Sequence, residues 1–446
     1  MSPASRAALL LANTLPPDHA PDAPLTLQLL TFDHVRAYFT EVDRWGALHG
    51  AARQIEQLHA RIERRIRFDS VPSLIAQPGR YLLAFEDAAQ ADRFRGEIAR
   101  EAAALTGSLQ VNCAQLTLEA SALFDGLLPI PARVVGIPGV TPYQARINRY
   151  YGLANAGTVP TAEQARARRH FGQVYARLLD QLEATSAGIA PFYECLPFAE
   201  RCSACRERPT SAFVNGEPRC PVCELRERTG ASMAILAITL PGSERALIKQ
   251  TSSAAFARVA AAIDTVTAPV LANPGALRLH DAYETRLIAT PKRGLLDLIA
   301  KLPDAVRLPS GDETRVIVSA AYGPAAPRTL IEMAERGHHK LSPDRIGIAS
   351  SPDSFGTYSA ESLEWLRATV ERLRGANLPP AAFANLPEQL ARGTAALYTT
   401  YERLRLAPLM LRALDATEAQ WGRESARFYR ALADALALIR GDDERV

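Results

Sequence analysis

No stretch of this sequence is apolar for long enough to cross a bilayer, which excludes an ordinary helical membrane protein. The N-terminus offers Arg6 and a short apolar run from Ala7 to Ala12 but no cleavage-site pattern, so a cytoplasmic protein is expected. Net charge is only +3 over 446 residues. That excludes a global polycation, and any nucleic-acid contact has to come from local arginine patches. Arginine far outnumbers lysine, a bias that fits a GC-rich genome as well as phosphate recognition and decides neither. A Gly-rich phosphate loop and a Ser-His-Asp pattern are both missing. Cysteine is scarce, at six residues, too few for a disulfide framework in a chain this long. What is present is an ordinary globular composition, 48% apolar, enough to bury two or three cores.

Four of the six cysteines fall in one arrangement. Cys202-Ser-Ala-Cys205 is followed after fourteen residues by Cys220-Pro-Val-Cys223. Each C-x-x-C turn aims two sulfurs at one point, and four sulfurs close a tetrahedron around Zn²⁺, so the spacing predicts a structural zinc ribbon. Between the pairs, Ser211 to Val214, an Asn215-Gly216 turn and Glu217 to Arg219 predict a short hairpin. The bland alternative is two unrelated pairs of reduced surface thiols. A closed four-sulfur site has no open coordination position, so this metal is expected to fold the chain and not to do chemistry. Cys113 and Cys195 read as buried free thiols.

Taken in order, residues 1–24 are rich in Ala and Pro and predict a flexible arm. From Leu25 the periodicity predicts a strand to Leu30, helices over Asp33 to Thr40 and Gly46 to Ile66, and a hairpin of Val71 to Ala76 and Tyr81 to Phe85 across Gln77-Pro-Gly-Arg80. A helix from Ala88 to Leu105 and a strand from Leu109 to Glu119 follow. This order is ferredoxin-like, the plan of a nucleotide-polymerase palm. Residues 124–230 form a linker domain carrying the ribbon and a charged helix, Ala162 to Glu183, whose Arg166, Arg168, Arg169 and Arg177 form either a solvated basic face or a phosphate contact. The pattern then returns. Met233 to Leu240, Ser253 to Asp264, Ala276 to Leu279 with Thr285 to Ala289, Lys292 to Leu302 and Arg315 to Tyr322 predict a second palm-like unit over 231–359, with a helix from Thr329 to Lys340 and a strand from Arg345 to Ile348. From Ala360 on, helices over Ser362 to Arg374, Pro387 to Leu404, Pro408 to Leu414 and Glu418 to Ile439 predict a terminal bundle, the last with a stripe of Trp421, Phe428, Leu432, Leu436 and Ile439. The fold class expected is therefore α+β: two ferredoxin-like palms (25–123 and 231–359) flanking a zinc-ribbon linker, with a helical domain over 360–446.

This layout resembles the large subunit of type III CRISPR effector complexes, from about Leu25 to Ile439. Local segments carry the resemblance: Leu30 to Phe39, Arg44-Trp-Gly-Ala-Leu-His-Gly-Ala51, Gln77 to Leu83, Thr290 to Ile299, Val316 to Tyr322 and Thr329 to Lys340. Active members of that family resemble adenylyl cyclases and make cyclic oligoadenylates from ATP with two metal ions. They carry an Asp at the end of the second palm's first strand and a Gly-Gly-Asp-Asp turn between the next two strands. Two divalent ions stabilising attacking and leaving oxygens need several carboxylates. Here the first strand reads Ala234 to Gly242 with no carboxylate before Glu244, and the turn region, Leu277 to Thr285, has Asp281 where a glycine-flanked pair belongs. The resemblance thus implies no catalytic residues in this chain, an inactive cyclase and no enzyme.

Two other metal patterns read as incidental. Gly441-Asp-Asp443 trails the last helix as an acidic tail, and His338-His339 near Glu335 face different sides of a helix. His280-Asp281 resembles the metal-binding pair of the family's nuclease domain, for which only a Pro-rich arm precedes the first palm. The resemblance implies a scaffold holding structural Zn²⁺. Its implied partners are CRISPR RNA and target RNA, a repeat-type backbone subunit, a 5′-handle-binding subunit, a helical small subunit and a recruited nuclease. Alternatives from other classes are an active cyclase with rearranged ligands (Asp281, Glu284, Glu244 and Asp33) and a stand-alone zinc-ribbon RNA binder.

Overall fold

The computed structural model describes residues 25–33, 35–118, 171–185, 200–206, 208–226, 233–250, 252–281, 284–323, 325–339, 346–351, 354–375 and 425–439. The arm over 1–24, Arg166, Arg168, Arg169, Cys195, the helices expected over Pro387 to Leu404 and Pro408 to Leu414, Trp421 and Gly441 to Asp443 lie outside the described residues.

The first unit opens with strand β1 (Leu25–Asp33), followed by helices α1 (Val35–Thr40) and α2 (Trp45–Phe68), strands β2 (Ser73–Gln77) and β3 (Arg80–Phe85), helix α3 (Ala88–Thr106) and strand β4 (Gln110–Leu118). The β2–β3 turn places Pro78 and then Gly79, at φ +90°, where a type II turn requires a preset φ and a left-handed residue. Asp87 starts α3 by accepting from the Gln90 N–H at 2.7 Å, and Gly107 ends it in the left-handed conformation. The strands pair antiparallel throughout in the order β2-β3-β1-β4, which is the split-βαβ order. Both faces of this sheet are covered. Leu25, Leu27 and Leu29 point to one core cluster, while Leu30 and Phe32 join the helices α2 and α3 in another. Gln28 is polar on that second face, and its Nε2 donates to the Ala91 carbonyl at 3.0 Å, as a buried amide must.

A helix, α4 (Phe171–Thr185), then leads to a small hairpin, β5 (Ala212–Val214) and β6 (Glu217–Arg219), and a one-turn helix α5 (Pro221–Arg226). The second unit repeats the plan. It runs through β7 (Ala234–Thr239), helices α6 (Ser243–Ile248), α7 (Ser253–Thr265) and α8 (Ala268–Leu271), strands β8 (Leu277–Asp281) and β9 (Thr285–Thr290), and helix α9 (Leu295–Ala300). A side hairpin of β10 (Ala305–Arg307) and β11 (Glu313–Arg315) precedes β12 (Ile317–Ala321), α10 (Pro327–His339), β13 (Ile346–Ser351) and β14 (Ser354–Tyr358). The sheet order β14-β13-β12-β7-β9-β8 contains the same four-strand arrangement, extended past β12 by β13 in parallel and β14 antiparallel to it. β7 is buried along its whole length, because Ala234, Leu236 and Ile238 meet one cluster and Ile235 and Ala237 the other.

Three expectations change in detail. The run from Arg315 to Tyr322 is not one strand, since Arg315 ends the β10–β11 hairpin and β12 begins at Ile317. The helix expected over Lys292 to Leu302 spans only Leu295 to Ala300, started by Gly294 at φ +81°. Of the terminal stretch, α11 (Ala360–Gly375) and α12 (Ser425–Ile439) pack on each other, and α12 also packs on β13 and β14. Leu432, Leu436 and Ile439 enter the same cluster as β7, so among the described residues these helices close the second sheet.

The two units embrace reciprocally. The crossover helix of the first, α2, lies against β8 of the second, and the crossover helix of the second, α7, lies against β2 of the first. That exchange of equivalent contacts is the signature of an isologous, pseudo-twofold interface. Asp264 on α7 accepts from both Gln77 Nε2 of β2 and Arg286 Nη2 of β9, the latter at 3.1 Å. On the other side Arg328 donates its backbone N–H to Asp43 Oδ1 at 2.7 Å and its guanidinium to the Thr40 carbonyl at 2.8 Å. Helix α4 seals the join, packing on β4 and on α6 and α7. At Gly172 a Cβ would sit 1.9 Å from the Ile248 carbonyl oxygen. Gly172→Ala is therefore expected to destabilise the chain by about 2 kcal/mol or more, read as a lower midpoint in urea unfolding.

Candidate metal centre and the cleft between the sheets

The four cysteines converge as their spacing predicts. All four sulfurs lie within 4.8 Å of one another, and Cys205 Sγ is 3.9 Å from Cys220 Sγ. Metal–sulfur bonds of about 2.3 Å put the corners of a tetrahedral site about 3.8 Å apart, so the cage fits an ion such as zinc. The hairpin β5–β6 turns through Asn215 (φ +54°) and Gly216 (φ +80°), the left-handed pair a two-residue hairpin demands. Its base returns to the first cysteine turn, with the Ser203 N–H donating to the Pro218 carbonyl at 2.9 Å and the Cys202 N–H to the Arg208 carbonyl at 3.0 Å. The second pair starts α5, and the Cys223 N–H points at Cys220 Sγ, 3.4 Å away. Cys205 does most to push up both the Cys220 and Cys223 thiols. A divalent cation reverses that shift, because thiolates are its ligands.

The ribbon is fastened to the first unit. Val42 and Ala47, flanking the start of α2, join Cys202, Cys220, Val222 and Cys223 in one small cluster. Arg208, buried, pairs with Glu41 at 2.5 Å, and Gln54 of α2 donates to the Leu225 carbonyl at 3.1 Å. Gly107 leaves room for Val222, whose Cγ2 would lie 2.8 Å from any Cβ there. Of the other thiols, Cys113 is half-buried on β4, and burial pushes its pKa up to about 11, so it is an inert thiol.

The second feature is a cleft of about 350 Å³ between the two units. It is walled by the end of β1, the β2–β3 turn, the β8 edge, α4 and Glu244 of α6. A register shift between Arg278 and His280 on β8 is a bulge, which re-aims side chains, and Arg278, Leu279 and His280 all line the cleft. Arg80 donates to the Tyr175 hydroxyl at 2.9 Å and stands 3.7 Å from Glu244. Burial, more than the neighbouring Glu284 and Glu183, holds the Glu244 carboxyl above the ordinary carboxylate range, against the pull of Arg80.

Among the described residues the four cysteines are the group that could hold a metal ion; Glu244 and Glu284 lie within electrostatic reach of each other. Thr239 ends β7, its hydroxyl 3.1 Å from that of Thr285. Glu284 accepts from the Gly242 N–H at 3.0 Å and so ties the β8–β9 turn to the start of α6. Asp33 ends β1, paired with Gln110 across the first sheet. The side chains of Asp281, His338 and His339 lie outside the described residues, while Glu335, weighed beside the two histidines, is ion-paired with Arg36 of α1. Sequence reasoning missed the cleft, whose walls come from six separated segments, Ile55 of α2 among them. It also missed the ribbon's docking contacts, since Arg208 and Glu41 carry no motif.

Cys220→Ser is expected to take bound metal from about one equivalent per chain to a small fraction, and to lower Tm by at least about 5 °C, because metal binding supplies folding free energy. Metal analysis and calorimetry on the same sample check this. Glu244→Gln tests the cleft. A carboxyl raised on folding contributes stability below its unfolded pKa and loses it as pH rises through the folded value. The variant should match the parent near pH 4 and gain in Tm relative to it towards pH 8.

No family model matches the chain, and no curated relative matches it. Among solved structures the chain is similar to Csm1 from T. onnurineus, with a TM-score of 0.46 and 10% identity over 97% of this chain and 72% of that one. The Csm1–Csm4 subcomplex of the type III-A CRISPR-Csm interference complex gives a TM-score of 0.44 with 12% identity, and the Csm1–Csm4 cassette in complex with cA4 gives 0.42 with 12%, each over 97% of this chain and 72% of that one.

Proposed function

We propose that this chain is a catalytically inactive large subunit of a type III CRISPR RNA-guided effector complex, acting as scaffold and target sensor in antiviral defence. In this reading the units 25–123 and 231–359 are two palms, 124–230 is a linker domain whose four cysteines hold structural Zn²⁺, and 360–446 seats a helical small subunit. CRISPR RNA, target RNA, repeat-type backbone subunits and a subunit that grips the 5′ handle are its partners in the cytoplasm, with cutting left to another subunit or a recruited nuclease.

The observation that carries the reading is the pair of split-βαβ units set reciprocally around a cleft whose expected ligand positions are occupied otherwise. A cyclase of this plan holds two cations with carboxylates at the end of the second unit's first strand and in the following hairpin turn. Here that strand is β7, closed by Thr239, and Glu284 in the turn is held by a backbone N–H. Burial raises the Glu244 carboxyl above the ordinary carboxylate range, so its charge is held at a cost. These features support the inactive reading.

Co-expression of the full chain with its neighbouring genes and a CRISPR array provides the test. Guide RNA and repeat-type subunits are expected to co-purify, with no cyclic oligoadenylate from ATP in Mg²⁺ or Mn²⁺ when target RNA is added. Oligoadenylate that disappears in Asp281→Ala overturns the inactive reading in favour of rearranged ligands. A chain that elutes alone while binding RNA tightly favours the stand-alone ribbon protein.

A further inference from the structure

Helix α2 buries one face completely. Leu48, Ala51, Ala52, Ile55, Leu58, Ile62 and Ile66 are all in the core. At 100° per residue, the opposite face is a ridge of Arg53, Arg64 and Arg67 flanked by Arg61 and Phe68, all exposed. The ridge rises about 21 Å between the first and last of these arginines. Among the described residues neither Arg61 nor Arg64 is paired with a carboxylate, and the Arg64 Nε donates only to the Ala60 carbonyl within its own helix. Arg67 is 73% exposed beside Glu63 at 3.6 Å. Arg65, by contrast, is turned aside to Asp69 and Glu97, each 2.6 Å away. At the end of the ridge Phe68 is 83% exposed, the most exposed large apolar side chain among the described residues. Nothing in the core explains an aromatic ring left in water at that position.

We propose that this ridge is a track for single-stranded nucleic acid, with the arginines on its phosphates and Phe68 stacking on a base. Guanidinium forks bind phosphate oxygens in pairs, and a basic groove ending in an exposed ring is how single strands are held without sequence preference. An anionic membrane fits worse. A surface-lying helix needs an apolar face for the lipid, and every large apolar side chain of α2 except Phe68 and half-buried Trp45 is committed to the core. The first turns of the ridge lead to the cleft, because Glu56 lies within electrostatic reach of both Arg53 and the cleft residue Arg278. The inference deepens the reading above by naming the surface that meets RNA, but it rests on the helix alone.

Fluorescence anisotropy of a labelled mixed-sequence RNA oligonucleotide with the purified full chain, titrated with salt, tests it. The double variant Arg61→Glu/Arg64→Glu should flatten the slope of log affinity against log salt by about 1.4, from two lost phosphate contacts at about 0.7 each. Phe68→Ala should weaken binding about tenfold with the slope unchanged. All three positions are exposed, so Tm should stay at the parent value, and thermal melts check that the variants are folded. No binding by the parent chain at low salt, or equal binding by parent and both variants, overturns the proposal. So does loss of binding to phosphatidylserine vesicles in the variants while RNA binding stays unchanged. Failure of the effector-complex reading is separate: it would show as absent partner subunits in the co-expression, with the ridge still binding RNA.

Discussion

The structure depends on each unit lending a helix to the other's sheet. A lone split-βαβ sheet has helices for one face only, and its other face and its β2-type edge stay exposed. Here α2 covers β8 and α7 covers β2, while α4 lies over β4 and joins it to α6 and α7. Both large hydrophobic clusters therefore draw side chains from both units. Neither sheet would be dry without the other, which is why β7 can be apolar on both faces where an isolated antiparallel strand would alternate. The cleft follows from the same geometry, since two units related by a pseudo-twofold leave a gap where their β-hairpins approach the join.

The ribbon solves a different problem. Its cluster has only a handful of side chains, too small to hold a fold by burial, and four converging sulfurs that could hold a cation stand where a core would be. The place of the hairpin on the first unit is set by contacts outside the four cysteines. The Arg208–Glu41 pair is nearly dry, so its two charges are costly to separate once docked. Gly107 then lets Val222 approach to a distance no side chain would allow. The ribbon is thus oriented relative to α2, whose far face carries the arginine ridge.

The elements that were legible in the sequence are those whose periodicity is dictated by burial on one side. α2, α3, α7 and β1 through β4 fall within a few residues of their expected places, and several of their ends are local chemistry: Asp87 and Gly107 bound α3, Pro78-Gly79 turn the hairpin, and Ser252 starts α7 by accepting from the Ala255 N–H. What escaped were elements whose reason is elsewhere in the chain. α6 is a single buried turn packed on α4. The β10–β11 hairpin interrupts what reads as one strand, since Val316 is apolar like its neighbours and nothing local marks the break. β14 is an edge strand, stabilised by pairing to β13.

By itself the sequence determined that four sulfurs converge, because each C-x-x-C turn aims its two sulfurs at one point and the hairpin between them brings the pairs together. It also determined the doubled βαββαβ order, since side-chain period is a property of the local chain, and it showed that the second unit's first strand has no carboxylate. Only the tertiary structure decided how the two units face each other and that a cleft lies between them. It alone decided that Glu244 sits where burial disfavours its charge, that α12 closes the second sheet, and that the arginines of α2 stand together on an open face. Those outcomes depend on which distant surfaces exclude water together, and no local pattern in a chain encodes that.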